Sequence, residues 1–235
     1  MKISDNLLPA VAVAMGIALS GWFIYKGFDT FAHKDRQVAV RGLAEREVMA
    51  DKVTWPLVVK TLGNNLSQVY EELGRNNDIV IKFLKDNGVS DSEISVSEPK
   101  VFDRDGQSSY RPDVAYRYNV TVIVTVTSSQ VEKVNNLIKR QTDLLKSGVA
   151  LSTDYQYNTT YEYTSLNDIK PEMIAEATKN AKAAADKFAE DSDCKVGSIK
   201  TASQGQFSIT DRDAFTPWMK KVRVVTSVTY YIEDK

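Results

Sequence analysis

Asp103-Arg104-Asp105-Gly106 has the alternating acids and the glycine found in the middle of a calcium-binding loop. Carboxylates at that spacing can converge on one hard cation, because the glycine lets the chain turn sharply. Such a loop also needs an oxygen ligand two residues before the first acid and a glutamate six residues after the glycine. Val101 and Pro112 stand in those places, so the segment reads as a hairpin tip. Asp211-Arg212-Asp213 is read in the same way. Glu45, Glu47 and Asp51 are too dispersed to form an acid–base pair. Tyr155, Tyr157, Tyr161 and Tyr163 occupy positions of the same parity in one stretch. On a strand they share a sheet face, which can line a small-ligand groove or an oligomer interface.

Other chemistry is bounded by residue supply. Cys194 is the only cysteine and His33 the only histidine. A single chain therefore has no disulfide, no thiolate cluster, no histidine-based triad and no multi-histidine zinc site. No P-loop, dinucleotide glycine pattern, G-x-S-x-G elbow or H-E-x-x-H is present. The expectation is a chain with no catalytic residues, no cofactor and no metal. Its net charge of −1 lacks the basic footprint that nucleic acid requires.

The elements that must position these residues begin with Leu7 to Tyr25, an apolar run without a charge. As a helix it has about the length of the ~30 Å hydrocarbon layer of a bilayer. Trp22 and Tyr25 sit where an interfacial aromatic belt falls. Ala12, Gly16 and Ser20 share one helix face, and small residues at that spacing let two membrane helices approach. The expectation is an uncleaved single-pass anchor through residues 7–25, with residues 1–36 as anchor and tether. The alternative is a signal peptide cleaved before Gly21, after Ala18-Leu19-Ser20, releasing the domain to the periplasm. Lys26, Lys34 and Arg36 follow the run, but long domains translocate largely regardless of such charges, so export is expected.

Val38 to Val48 and Val53 to Leu62 read as strands. Leu66, Val69, Tyr70, Leu73, Val80, Phe83 and Leu84 form a helical stripe, with a kink or break expected at Gly74 and a stop at Asn87-Gly88. Ile94 to Phe102 reads as a strand and Val114 to Thr127 as the clearest one, alternating Val and Tyr with polar residues. Ser129 and Glu132 have the capping-box spacing before a helical stripe from Val131 to Leu145 that Gly148 closes. Val149 to Thr164 reads as the strand carrying the four tyrosines. An alanine-rich helix from Asp168 to Asp191, with Pro171 in its first turn, precedes strands at Val196 to Ile209 and Val222 to Ile232. The last of these carries one charge, Arg223, and no proline, so at a sheet edge it would be an unprotected seam.

This order predicts an α+β fold. Residues 53–164 form a ferredoxin-like βαββαβ unit, inserted in a second, discontinuous α+β layer made of 37–52 and 165–235, behind one transmembrane helix.

Three places resemble the SIMPL domain family. Val40-Arg41-Gly42-Leu43-Ala44-Glu45 with Ala50-Asp51 is similar to its opening strand. Glu172 to Asp193 with Lys195-Val196-Gly197-Ser198-Ile199 is similar to its alanine-rich helix and the strand after it. Val222 to Ile232, containing Thr226-Ser227-Val228, is similar to its closing strand. The resemblance covers residues 37–235. It implies a bacterial cell-envelope protein without an agreed enzymatic activity, assembling as a homo-oligomer in a scaffold or stress-related role, and it offers no catalytic residues. The alternative is a small-ligand-binding or hydrolytic envelope domain that uses the tyrosine face.

Overall fold

Stripes of helical period and runs of period two resolve into fifteen described elements in the computed structural model, which describes residues 7–33, 36–105, 115–153 and 156–234. The strands are Gln37–Met49 (β1), Lys52–Gly63 (β2), Ile94–Val96 (β3), Lys100–Asp103 (β4), Tyr118–Ser128 (β5), Thr160–Glu162 (β6), Cys194–Gln204 (β7), Ser208–Asp211 (β8) and Met219–Asp234 (β9). The helices are Leu7–His33 (α1), Leu66–Asp86 (α2), Val131–Lys139 (α3), Thr142–Lys146 (α4) and Leu166–Asp191 (α5), and a single 3-10 turn covers Asp91–Glu93. The protein is thus a mixed α+β chain with two antiparallel-type sheets. Two compact units divide it: one takes 46–168 and 209–222, the other 1–45, 169–208 and 223–235.

In the unit containing 46–168, the sheet order is β3-β5-β2-β6, with β4 also paired to β5. The β2–β5 register runs without interruption from Val53 opposite Ser128 to Gly63 opposite Tyr118. Val53, Trp55, Leu57 and Val59 of β2 and Val120, Val122, Val124 and Val126 of β5 are buried on one face. Val69, Leu73, Val80 and Leu84 of α2 belong to the same core, as do Val134 and Leu137 of α3. Each such side chain stabilises the fold by about 1.5–3 kcal/mol relative to exposure. Asn65 caps α2, its side chain accepting from Gln68 N at 3.2 Å. Gly88 (φ 79°) and Gly148 (φ 85°) adopt the left-handed backbone that ends α2 and α4.

Several elements differ from the sequence reading, each for a local reason. The expected strand at 94–102 is split. Val96 lies opposite Val124 and Lys100 opposite Thr121, so one strand advances four residues while its partner advances three. Pro99 lies in the surplus and cannot donate to the ladder. Ser97 spans the gap, its hydroxyl accepting from Ile123 N at 3.0 Å. The expected single helix from Val131 to Leu145 is broken at Arg140 and Gln141. Their N–H groups bond three residues back, to Leu137 and Ile138, which tightens the turn into 3-10 geometry.

The capping box at Ser129 and Glu132 is not formed, and Gln130 caps α3 without a side-chain bond. The S-x-x-E that closes on itself is Ser90 to Glu93, where Glu93 accepts from Ser90 N and Oγ at 2.9 and 2.7 Å. Among the described residues of Val149 to Thr164 only β6 is strand, with Leu151 making one isolated bridge to Val59. β5 begins at Tyr118 rather than Val114, which lies outside the described residues.

The second sheet has the order β1, β9, β7, with β8 also on β9. β9 is therefore interior, so the closing strand is not the seam it would form at a sheet edge. Val224, Thr226, Val228 and Tyr230 are buried along it. The expected strand at 196–209 is two strands, β7 and β8. β7 carries register shifts between Val196 and Ile199 and between Ile199 and Thr201. Helix α5 starts at Leu166, which moves Pro171 past the first turn and leaves the Asn167 carbonyl without its helical donor. Met173, Ala177, Ala181 and Ala185 of α5 are fully buried, and Ala189 nearly so.

α1 exposes its described side chains, from residue 11 to 27, on every side. Among the described residues no helix is long and apolar enough to cross a membrane.

Helix α2 runs unbroken through Gly74, contrary to the expected kink, and a Cβ there would meet nothing within 4 Å. Gly74→Ala is expected to raise stability by about 1 kcal/mol, read as a shift in the urea midpoint at unchanged slope; no shift or a loss would mean that the glycine is needed for the path of α2.

Candidate functional site

The carboxylates that could do chemistry are committed to the chain itself. Asp51 sits between β1 and β2. Its Oδ1 accepts from Thr164 N at 2.7 Å and Thr164 Oγ1 at 3.0 Å, and its Oδ2 from Ser165 N at 2.8 Å. Asp51 N in turn donates to Glu162 O at 3.0 Å. One side chain thus ties the β1–β2 turn to the stretch between β6 and the start of α5. Burial alone would push its pKa up, but the bonds from Ser165 and Thr164 outweigh it and hold the carboxyl below the usual value.

Asp103 forms a two-pronged pair with Arg117, Nε to Oδ1 and Nη2 to Oδ2 both at 3.0 Å, and Asp105 lies 3.1 Å from the same Nε. The Arg117 bond holds Asp103 below the ordinary carboxylate range. The calcium-like acids therefore grip a guanidinium where β4 meets β5. Gly106 and Pro112 lie outside the described residues.

Asp213 shapes the connection from β8 to β9. It accepts from Phe215 N at 2.8 Å and Thr216 N at 2.7 Å, and also from the Thr216 hydroxyl and from Arg212 Nε. The Thr216 bond first, then Arg212, drives its pKa far below normal. Asp211 pairs with Lys220 across the same turn. The reading of 211–213 as a hairpin tip matches this geometry. The turn presents Phe215 with 89% of its surface exposed.

The tyrosines do not share one face. Tyr155 lies outside the described residues. Tyr157 falls in a non-strand segment and lines a cleft of about 320 Å3 with Trp55, Val58, Ile138 and Leu151. Tyr161 is on β6, half-buried, with its ring edge-to-face on Trp218 at 6.2 Å and its hydroxyl donating to Asn135 Oδ1 at 2.5 Å. Burial pushes its phenol pKa up. It opens on a different cleft, of about 510 Å3, bounded by Trp218 and one face of α3. Tyr163 lies past the end of β6, where burial and then the charges of Asp168 and Asp51 raise its pKa.

Ala12, Gly16 and Ser20 are exposed on α1, and a Cβ on Gly16 would meet nothing within 4 Å. Cys194 Sγ lies 3.2 Å from Ser192 O and 3.6 Å from Arg36 Nη2. Among the described residues no group of three or more His, Cys, Asp or Glu is placed to hold a metal ion.

Sequence reasoning missed Glu93 and Trp218. Glu93 accepts from Ser128 Oγ at 2.5 Å besides its bonds to Ser90, and its S-x-x-E spacing was a readable signal. Trp218, whose carbonyl accepts from Ala50 N at 2.8 Å, gave no local signal, since its partners are remote in sequence.

The arrangement defines a two-sheet α+β domain whose polar groups mostly hold loops in place. A family model described as SIMPL, a protein of unknown function (DUF541), matches residues 38–230. The chain belongs to the SIMPL family. None of the curated proteins matches it.

Asp51→Asn is expected to cost about 1 kcal/mol in urea unfolding at neutral pH, since an amide cannot accept every bond that the carboxylate accepts. The depressed pKa fixes the pH dependence. The native advantage is complete above the unfolded value of 3.8 and fades as pH falls through the lower folded value. Equal stability of the two proteins at neutral pH would remove Asp51 from this role.

Proposed function

We propose that the chain is a membrane-anchored, non-enzymatic cell-envelope protein that self-assembles, with its SIMPL domain exported. The anchor rests on the uncharged apolar run from Leu7 to Tyr25, although no helix among the described residues meets the length and apolarity of a full membrane span. Val11, Val13, Ile17, Leu19, Phe23 and Ile24 are all largely exposed, and water is an unfavourable surrounding for a helix that is apolar on every side. A lipid surrounding removes that cost, with Trp22 and Tyr25 at the interface. Export and the envelope setting rest on the family resemblance.

The non-enzymatic reading is supported by the use of Asp51, Asp103 and Asp213 as acceptors that shape loops, in place of groups poised toward an open site. The strand order β6-β2-β5, continued by β3 and β4, supports reading the 53–164 segment as ferredoxin-like, with α2 and α3 on the buried face. For self-assembly, the sheet offers β1 and β7 as its outer strands. β7 carries Lys195, Lys200 and two register shifts, which are devices that guard an edge. β1 carries Arg41, Glu45, Arg46 and Glu47, which guard it in the same way, so the Ala12, Gly16 and Ser20 face of α1 is the surface offered to a second copy.

The test uses the full chain expressed in a bacterial membrane. Retention in the membrane fraction after an alkaline wash, an intact Met1 end by mass spectrometry, and a multimer by light scattering in detergent are expected. Release by the wash or a mature end at Gly21 would overturn the anchor. A single-chain mass at tens of micromolar would overturn self-assembly, because specific interfaces of ordinary size persist at about that concentration.

A further inference from the structure

The cleft beside Tyr161 and Trp218 has a chemistry that the anchored-scaffold reading does not use. Its floor is aromatic. Tyr161 and Trp218 stand edge-to-face with an interplanar angle of 67°, and Met49 lies beside them. Its wall is α3, where Glu132, Asn135, Asn136 and Lys139, separated by three and four residues and so stacked along the helix, are joined by the apolar Ile138.

Hydrogen bonding fixes part of the lining. The Tyr161 hydroxyl donates to Asn135 Oδ1, so the Asn135 Nδ2 keeps both of its hydrogens as donors and the phenol oxygen keeps acceptor capacity. Asn136 adds a further amide, Glu132 an acceptor and Lys139 a donor. The two charges cancel, so the wall selects neither an anion nor a cation. The pieces are also held in place: Tyr161 by the β2–β6 ladder, where it lies opposite Val53, and Trp218 by its carbonyl bond from Ala50 N. The cleft, at about 510 Å3, is within the range of small-molecule sites.

A neutral saccharide matches each of these features. Its ring presents C–H faces to aromatic side chains, and its hydroxyls both donate and accept, which suits a wall of mixed amides with one acid and one base. A lipid tail would leave the α3 wall unpaired, and an anionic ligand would face Glu132. We propose that this cleft binds a neutral saccharide, stacked on Trp218 and Tyr161 and hydrogen-bonded along α3 by Asn135 and Asn136.

The test is calorimetric titration of the full chain, in a polyoxyethylene detergent that carries no sugar headgroup, with chitotetraose and with cellotetraose. Binding of at least one with Kd of about 1 mM or tighter is expected. Asn136→Ala, an exposed change that leaves the core intact, is expected to weaken it about tenfold, the scale of one lost hydrogen bond in a site. Trp218→Leu is expected to abolish it. Because Trp218 also packs on the core, circular dichroism accompanies that variant, and Glu132→Ala serves as a second surface change on the same wall. Absence of binding of both sugars at about 10 mM would overturn the proposal. So would binding that Asn136→Ala and Glu132→Ala both leave unchanged, since the sugar would then sit elsewhere. Neither result bears on whether the chain is anchored or assembled.

Discussion

The backbone of α5 lies directly against β1 at Gly42, and the unit built from 1–45, 169–208 and 223–235 depends on that approach. A Cβ at Gly42 would collide with the carbonyl oxygen of Ala177 and the backbone nitrogen of Ala181. A strand and a helix come this close only when both present almost no side chain. Helix α5 meets the requirement with alanines four residues apart, 177, 181, 185 and 189, all buried. Each alanine buries little area, so the adhesion comes from many close van der Waals contacts rather than from a few large side chains. The Asn180 amide adds a bond to Leu43 O at 2.8 Å, one residue beyond the glycine.

The other unit is held in a different way. Its core is built from valine and leucine on two long paired strands, under α2, α3 and α4. Its loops are held by carboxylates that accept several bonds each: Asp51, Glu93, Asp103 and Asp213. A carboxylate offers about four acceptor positions, so one residue can order a whole turn. The residues that carry the family resemblance, Gly42, Asp51 and the alanines of α5, thus have packing and loop-ordering roles. A family recognised by such residues is recognised by its fold.

Much of this was legible in the sequence because period and punctuation are local. The strands β1, β2, β5 and β9 and the helices α2 and α5 follow from alternation and stripes in the residues themselves. The errors fell where a distant partner decides. Residues 149–164 have strand-like composition, yet among the described ones the ladder with β2 is confined to 160–162 and a single bridge at Leu151, so the described tyrosines disperse to separate surroundings. The sequence leaves open whether β9 lies at an edge or inside its sheet, because its residues cannot say which strands flank it. The S-x-x-E at 129–132 does not close, while the one at 90–93 does, and there Glu93 also accepts from Ser128, whose hydroxyl in turn accepts from Gln130 N. Trp218 joins the cleft from a segment far along the chain, and nothing near it in sequence marks that placement.

The claim that the family-marking residues act by close packing is tested most directly at Gly42. Hydrogen exchange of the full chain carrying Gly42→Ala reports each segment separately. The added methyl must displace α5, and overpacking of this kind typically costs about 1–3 kcal/mol. The account predicts that amides of α5 from Met173 to Ala189 lose about tenfold or more of their protection. Protection of α5 equal to that of the unsubstituted protein would contradict it, because the helix would then not rest on the strand at that point.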